Sequence, residues 1–303
     1  MKTWIIRNCP LCGKNNFKIK YKRNYAIEEL GSGLFSARRK RGKKCYEHNT
    51  IVKCENCGMV YMNPLLNPII TEKLYKESKY NYGAEEENLK KSYGNYLKLA
   101  LKYLKKPKRL LDIGTGNGFF LEEAIVQEYR DVWGIEPSHH AVISAKPHLK
   151  KIIIEEILKP EQFSEGYFDV ITLFQVLDHI ENPEEVIKIC KKFLKTGGVL
   201  ICISHNVNSL SAKIMGERSP IFDIEHTHLF SKKTISNLLT KNKFKILEIG
   251  SSSNTYSLGY WINFSPIPEV IKSKLVSFLK MLKLESVKIS IRPGNFFVIA
   301  RNY

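Results

Sequence analysis

The chain has 303 residues, 43% hydrophobic and 26% charged, with a formal net charge of +18. That composition is rich enough for a packed core in one large or two modest domains. No run of about 18 apolar residues occurs, which excludes a transmembrane helix, and the opening MKTWIIRNCPLC lacks the apolar stretch of a secretory signal. Seven cysteines, four of them at metal-ligand spacing, point to a reducing compartment rather than a disulfide framework, so a cytoplasmic location is expected.

The first elements in chain order are two matched knuckles, NCPLCG with Cys9 and Cys12 and KCENCG with Cys54 and Cys57. A glycine follows each pair (Gly13, Gly58) where the backbone turns back to face the sulfurs. Four thiolates surround one Zn²⁺ tetrahedrally and leave no open position, the pattern of a structural metal. A thioredoxin-like redox pair needs a single Cys-x-x-Cys, so two copies argue against it. Cys45 and His48 fit neither knuckle, and Cys190 and Cys202 fall in an expected helix and strand as core residues. The 41 residues between Cys12 and Cys54 form a long excursion carrying ARRKRGKK at Ala37–Lys44. Residues Met1–Cys57 hold 14 Lys and Arg against 4 Glu, a surplus that attracts polyanions unless it is simply a solvated face.

Two helices are expected next, over NPIITEKLYKES and EEENLKKSYGNYLKLALKYL, separated by the tyrosines of KYNYG. Then comes KRLLDIGTGNGFFLEEA: an apolar strand Leu110–Ile113, the glycines Gly114, Gly116 and Gly118, and a helix with Phe119, Phe120, Leu121 and Ala124 on its apolar side. Strand, glycine turn and helix make half of a nucleotide-binding βαβ unit. Phe119 occupies the place where a dinucleotide fingerprint has its third small residue, which disfavours a dehydrogenase. A second strand, DVWGIEPS, ends near Glu136, 18 residues past Gly118, where an acid accepts hydrogen bonds from ribose hydroxyls. A strand Phe168–Phe174, a helix Pro183–Leu194, a Gly-Gly turn and a strand Val199–Ser204 follow.

With these blocks in order, the chain resembles the class I S-adenosylmethionine-dependent methyltransferases from about Lys106 onward. LLDIGTGNGFF is similar to that family's first motif, GIEPS to its ribose-binding acid, and FDVITLFQVLDHI and LKTGGVLICIS to its later strands. The resemblance implies an α/β fold: a Rossmann-like, seven-stranded methyltransferase sheet, here with a small N-terminal zinc-binding domain. The expected division is residues 1–64 for that domain with its basic loop, 65–105 for a helical linker or lid, and 106–303 for the catalytic domain. The resemblance puts Asp112, Gly114, Gly116 and Gly118 along the cofactor, Glu136 on its ribose, Glu155 or Glu156 near its adenine, and Gln175 with Val176 beside its methionine tail.

Further along, FDIEHTHLFSKKTISNLL places Glu225-His226 shortly before a Phe230-Ser231 helix start. Together with the knuckles this resembles a subgroup that includes C-methyltransferases of nucleotide-linked deoxysugars, although those enzymes carry a further C-terminal domain. By that resemblance Glu225 and His226 are acid–base candidates, with His179 opposite them and Tyr80 or Tyr82 over the cofactor. Loop-holding hydrogen bonds are the alternative for His179, His226 and His228. The expected acceptor is a small, phosphate-bearing molecule such as a nucleotide-linked sugar or glycan precursor. The rivals are RNA, bound by the basic zinc module, and a non-catalytic cofactor-binding adaptor. After the strand FKILEIG, the helical insertion PIPEVIKSKLVSFLKMLKL either packs on the sheet, forms a dimer surface or rests on a membrane face, and GNFFVIARN supplies a reversed last strand.

Overall fold

The computed structural model describes residues 3–26, 47–77, 86–265 and 267–303. The basic stretch Ala37–Lys44, Cys45, Tyr80 and Tyr82 lie outside the described residues. Seven strands form the central sheet: β6 (Arg109–Ile113), β7 (Asp131–Ile135), β8 (Ile153–Ile154), β9 (Phe168–Phe174), β10 (Leu194–His205), β12 (Phe244–Ser251) and β15 (Asn295–Asn302). Their order is β12-β15-β10-β9-β6-β7-β8. The five from β10 to β8 are parallel, and β15 runs antiparallel between β10 and β12. The parallel strands read as near-continuous apolar runs because both faces are covered, as the connections of a parallel sheet require.

Alternate residues of each strand supply two separate cores. On one face Leu110, Val170, Val199 and Ile201 meet Tyr93 and Leu97 of α2 (Glu86–Ala100) and Phe119–Leu121 of α3 (Phe119–Val126). On the other, Leu111, Ile171, Leu200 and Cys202 meet Ile187, Cys190 and Phe193 of α6 (Pro183–Phe193) and Ile235 and Leu238 of α8 (Lys232–Lys241). The helix starts are written in the sequence: Asn182 accepts from the Glu185 amide with Pro183 in the first turn, and Ser231 forms a capping box with Thr234.

A second, antiparallel sheet runs β11-β4-β3-β2, from β11 (His228–Leu229), β4 (Val60–Met62), β3 (Ile51–Cys54) and β2 (Phe17–Tyr21). Its edge strand β11 comes from the far side of the chain and pairs His228 with Tyr61 and Leu229 with Val60. Cys9, Val52 and Tyr61 also belong to the same apolar cluster as Leu111, Ile171 and Phe230. The Arg7 guanidinium is wedged at this junction. It donates to the carbonyls of Met62 (3.4 Å), Glu181 (3.4 Å) and Thr227 (3.1 Å), and to His228 Nε2 (3.2 Å). Burial lowers its pKa to about 10, which still leaves it charged near neutrality. His228, fully buried, is pushed well below the usual imidazole range, first by burial and then by the Arg7 charge. It is therefore a neutral acceptor from Arg7 and holds Thr227 Oγ1 at 2.9 Å through its other nitrogen.

Several elements differ from the sequence-based expectation. The strand expected over Val199–Ser204 begins at Leu194 and passes through a bulge before Val199, where Gly197 takes φ +83°. Pairing with Phe168 captures Leu194, which helical periodicity assigned to the end of the preceding helix. The insertion is a helix (Glu269–Met281) joined to a hairpin of Asn254–Ser257 with Lys288–Ile291, and no residue of that helix is buried. No helix among the described residues is long and apolar enough to cross a membrane.

Replacing Arg7 by methionine keeps the apolar stem but leaves buried acceptors without a donor. Unfolding free energy in urea is expected to fall by roughly 2 kcal/mol, with the transition staying single because the two sheets share one apolar cluster.

Candidate active site

The C-terminal ends of β6, β7 and β9 carry the loops that would receive a ligand in an open α/β sheet. Gly114, Gly116 and Gly118 all take positive φ (+72°, +61° and +78°). A Cβ at Gly114 would stand 2.5 Å from Val176 Cγ2, so both the backbone angle and the space demand glycine there. The Gly116 amide donates to Glu136 Oε2 (2.9 Å), and the Ser138 amide donates to Glu136 Oε1 (2.8 Å). Asp112 is buried at the end of β6, with Oδ1 accepting from Thr172 Oγ1 at 2.6 Å. Desolvation raises its pKa to about 7, and the nearby Glu136 charge adds to the rise. Gln175 follows β9 in the left-handed region (φ +59°), and its buried Oε1 has no hydrogen-bond partner among the described residues. Aromatic rings close the side toward α2, where Tyr93 lies 4.5 Å from Phe174 and 6.0 Å from Phe119.

A bare-backbone glycine turn, two buried carboxylates on neighbouring strand ends and an orphaned amide oxygen suit a ligand with ribose hydroxyls and a cationic methionine portion. The structure brings Asp112, Gly114, Gly116, Gly118, Glu136 and Gln175 to this one place. Glu156 lies just past β8, with its carboxylate on Lys159 Nζ (3.1 Å) and Gln162 Nε2 (3.3 Å), contacts that hold it below the usual carboxylate range. Glu155 is 2.8 Å from His139 Nδ1. Tyr82 lies outside the described residues.

A second cluster sits beyond the ends of β9 and β10. The rings of His205, His226 and His179 form a row, with centroids 4.6 Å and then 4.7 Å apart. His226 Nδ1 lies 2.9 Å from the Ile221 carbonyl. A carbonyl only accepts, so Nδ1 carries the hydrogen and Nε2 is the basic nitrogen. Glu225 Oε2 is 4.0 Å from His179 Nδ1. Two residues that the motif reading missed complete the group. The wholly buried Asp178 accepts from His205 Nδ1 at 2.7 Å and from the Ser204 hydroxyl, and its carbonyl accepts from the amides of Thr227 (2.8 Å) and His228 (3.2 Å). The available signal was a Ser-His pair closing a buried strand and an Asp beside His179 in VLDHIENP. Neither spacing reveals a contact between segments 27 residues apart.

The four knuckle cysteines converge as their spacing predicts. Their sulfurs all lie within 4.8 Å of one another, with Cys9–Cys57 at 3.5 Å and Cys12–Cys54 at 3.6 Å. Tetrahedral Zn–S bonds of about 2.3 Å put sulfurs about 3.8 Å apart, so the donor set fits such an ion with little adjustment. Gly13 and Gly58 take φ +72° and +78° and donate their amides to the Cys9 and Cys54 carbonyls. His48 is turned elsewhere, toward Glu217 and the Asn49 carbonyl, while Cys190 and Cys202 are core residues.

The sheet order, with its one reversed strand, and the glycine loop at the end of β6 define an S-adenosylmethionine-dependent methyltransferase of class I. The profile of the methyltransferase domain family matches residues 86–249, and the chain belongs to that family. It is 29% identical over 174 residues to the ubiquinone biosynthesis O-methyltransferase of Glaesserella parasuis serovar 5 (strain SH0165), covering 52% of this chain and 73% of that protein. It is 35% identical over 113 residues to the protein of the same name from Dechloromonas aromatica (strain RCB), covering 34% and 47%. The chain thus spans about half the length of several curated relatives it matches. A SAM-dependent methyltransferase from Archaeoglobus fulgidus superposes with a TM-score of 0.46 at 17% identity, over 72% of this chain and 97% of that one.

The raised pKa of Asp112 gives a signed prediction for the protein without cofactor. The folded state holds this proton more tightly than the unfolded chain, whose Asp titrates near 4. The group therefore costs nothing below about pH 4 and lowers stability as pH climbs toward 7, by at most about 4 kcal/mol. Denaturation of wild type and Asp112→Asn across pH 4 to 8 should show the wild type losing stability relative to the variant as pH rises.

Proposed function

We propose that the protein transfers the methyl group of S-adenosylmethionine to a small anionic acceptor, a nucleotide-linked sugar or a glycan precursor, at an atom whose proton must be removed. The observation that carries this reading is the row of three histidines flanked by Asp178 and Glu225. When bound, the cofactor supplies an activated methyl on sulfur, so the chain's residues contribute alignment and a proton acceptor. In this reading Asp112, Glu136 and the amide-lined glycine turn fix the cofactor, and Gln175 Oε1 meets its methionine portion. Tyr82 and Glu156 are assigned supporting contacts to it. His226 Nε2 takes the acceptor's proton. His205, held by Asp178, and His179, beside Glu225, orient the acceptor, and the Asp178 and Glu225 carboxylates balance the resulting imidazolium charge. Deprotonation is useful for a hydroxyl or a carbon acid, which is the common feature of the sugar C-methyltransferase resemblance and of the O-methyltransferase name borne by relatives. That name favours a second reading, O-methylation of a ubiquinone precursor. The anionic character rests on the surplus of lysine and arginine in the N-terminal region.

In the same proposal the four cysteines hold one structural zinc ion. Its task is to fix β3 and β4, onto which β11 adds, and so to hold the segment carrying Glu225 and His226.

The test is transfer of labelled methyl from the cofactor into an extract, separated into RNA, protein, apolar and small anionic fractions. Label is expected in the small anionic fraction; label in the apolar fraction supports the O-methylation reading, and label in RNA overturns the proposal. With the acceptor in hand, His226→Ala should lower kcat by 10²–10⁴-fold with cofactor affinity unchanged. Metal analysis should find one zinc per chain. Chelation should lower thermal stability sharply and abolish transfer, because metal-binding energy becomes folding energy in such clips; full activity and stability in metal-free protein would overturn the structural role.

A further inference from the structure

The insertion between β12 and β15 has no place in the methyl-transfer chemistry, and it presents an unusual surface. Along the helix Glu269–Met281 and its following residue, Ile271, Leu275, Phe278 and Leu282 recur at spacings of four, three and four, which is one face of an α-helix, and all are exposed. Val270 and Met281 flank this stripe and are 67% and 71% exposed. Beyond the helix, Leu284, Val287, Ile289 and Ile291 continue the apolar surface onto the outer strand Lys288–Ile291. Single exposed apolar residues need no explanation, but ten within 22 positions form the kind of contiguous patch that marks a binding surface.

The excursion is firmly built rather than loosely attached. Trp261 Nε1 donates to the Ile289 carbonyl (3.0 Å), Tyr256 stacks on Tyr260 at 4.2 Å, and the amides of Leu258 and Gly259 reach the carbonyls of Val287 and Glu285. Backbone amides at Ser253 and Thr255 bond the Tyr96 hydroxyl and Ser92 of α2. Val276 and Leu279 are half-buried on the side turned toward the protein, and the apolar stripe borders that side, with Val270, Phe278 and Met281 its most exposed neighbours and members.

Charge selects the occupant. From Glu269 to Arg292 there are six Lys and Arg against two Glu. Lys272 pairs with Glu269 and Lys280 with Glu285, while Lys274, Lys283, Lys288 and Arg292 have no ion-pair partner among the described residues. A second copy of this chain would bring the same cations against themselves. A nucleic acid would engage the lysines and leave the apolar stripe wet. An anionic lipid surface satisfies both, taking the side chains of Phe278 and Leu275 into the boundary between headgroups and acyl chains while the lysines reach phosphates.

We propose that this helix and hairpin seat the protein peripherally on an anionic bilayer. Nothing in this inference depends on the identity of the methyl acceptor.

The experiment is co-sedimentation of the full chain with phosphatidylcholine vesicles, with and without phosphatidylglycerol. Binding is expected only with the anionic lipid, and it should weaken as salt rises. The double variant Leu275→Glu, Phe278→Glu should abolish it while leaving S-adenosylmethionine binding unchanged, since both positions are exposed. Reversing Lys274 and Lys283 to Glu should weaken partitioning by at least about fivefold for each residue. Failure to bind anionic vesicles would overturn the proposal, as would undiminished binding by the Leu275→Glu, Phe278→Glu variant. Loss in that variant of a dimer that shows no vesicle binding would overturn it equally and identify the face as a self-association surface.

Discussion

The guanidinium of Arg7 is the contact on which the segment beside the histidine row depends. It reaches the end of β4, the loop after β9 and the start of β11 from a single planar group, satisfying carbonyls at Met62, Glu181 and Thr227 together with the buried His228 ring. Only an always-charged fork with several donors does this, which is why lysine would be a poor substitute. The consequence reaches further than stability. Asp178, through its carbonyl, is bonded to the amides of Thr227 and His228, and through its carboxylate to His205. A shift of the Thr227–His228 segment would therefore move the histidine row, although Arg7 lies some 200 residues away in sequence and touches no ring of that row.

The two sides of the cleft are built by different physics. The cofactor side consists of strand ends inside a doubly covered parallel sheet, where glycine angles, buried carboxylates and backbone amides leave little freedom. There, Asp112 and Glu136 lie close enough for the charge of one to raise the pKa of the other, an arrangement that a cationic ligand relieves. The side that carries the histidine row consists of loops stitched by side chains and by one borrowed strand. That division suits an enzyme class in which the cofactor is constant and the acceptor varies.

The legibility of the sequence follows the same line. Short-range patterns were readable: the glycine turn with its flanking strand and helix, the helix starts at Pro183 and Ser231, and the two cysteine knuckles, because each is decided within a few residues. The row His205–His226–His179 was readable only in part. His226 and His179 stood out through a family pattern, whereas the pairing of Asp178 with His205 joins the loop after one strand to the end of the next, and no local period encodes it. The strand at His228–Leu229 was hidden for a related reason: its partner, β4, lies more than 160 residues earlier. Leu194 shows the reverse case, where local periodicity favoured helix and pairing with Phe168 decided otherwise.

The borrowed strand also explains why the cysteine cluster is set where it is. A small knuckle pair has too little apolar surface to order a sheet by itself. Here Cys9, Leu11, Val52 and Met59 are buried in the same cluster that packs α6 and α8 against the central sheet. The knuckles thus gain burial from the catalytic fold, and in return their sheet supplies the edge on which Leu229 and His228 are laid. Each half lacks what the other provides: one lacks a core and the other a rigid edge for the Thr227–Leu229 segment. Coupling of this kind ties the thiol cluster to the placement of the Thr227–Leu229 segment, although its sulfurs do not touch that segment.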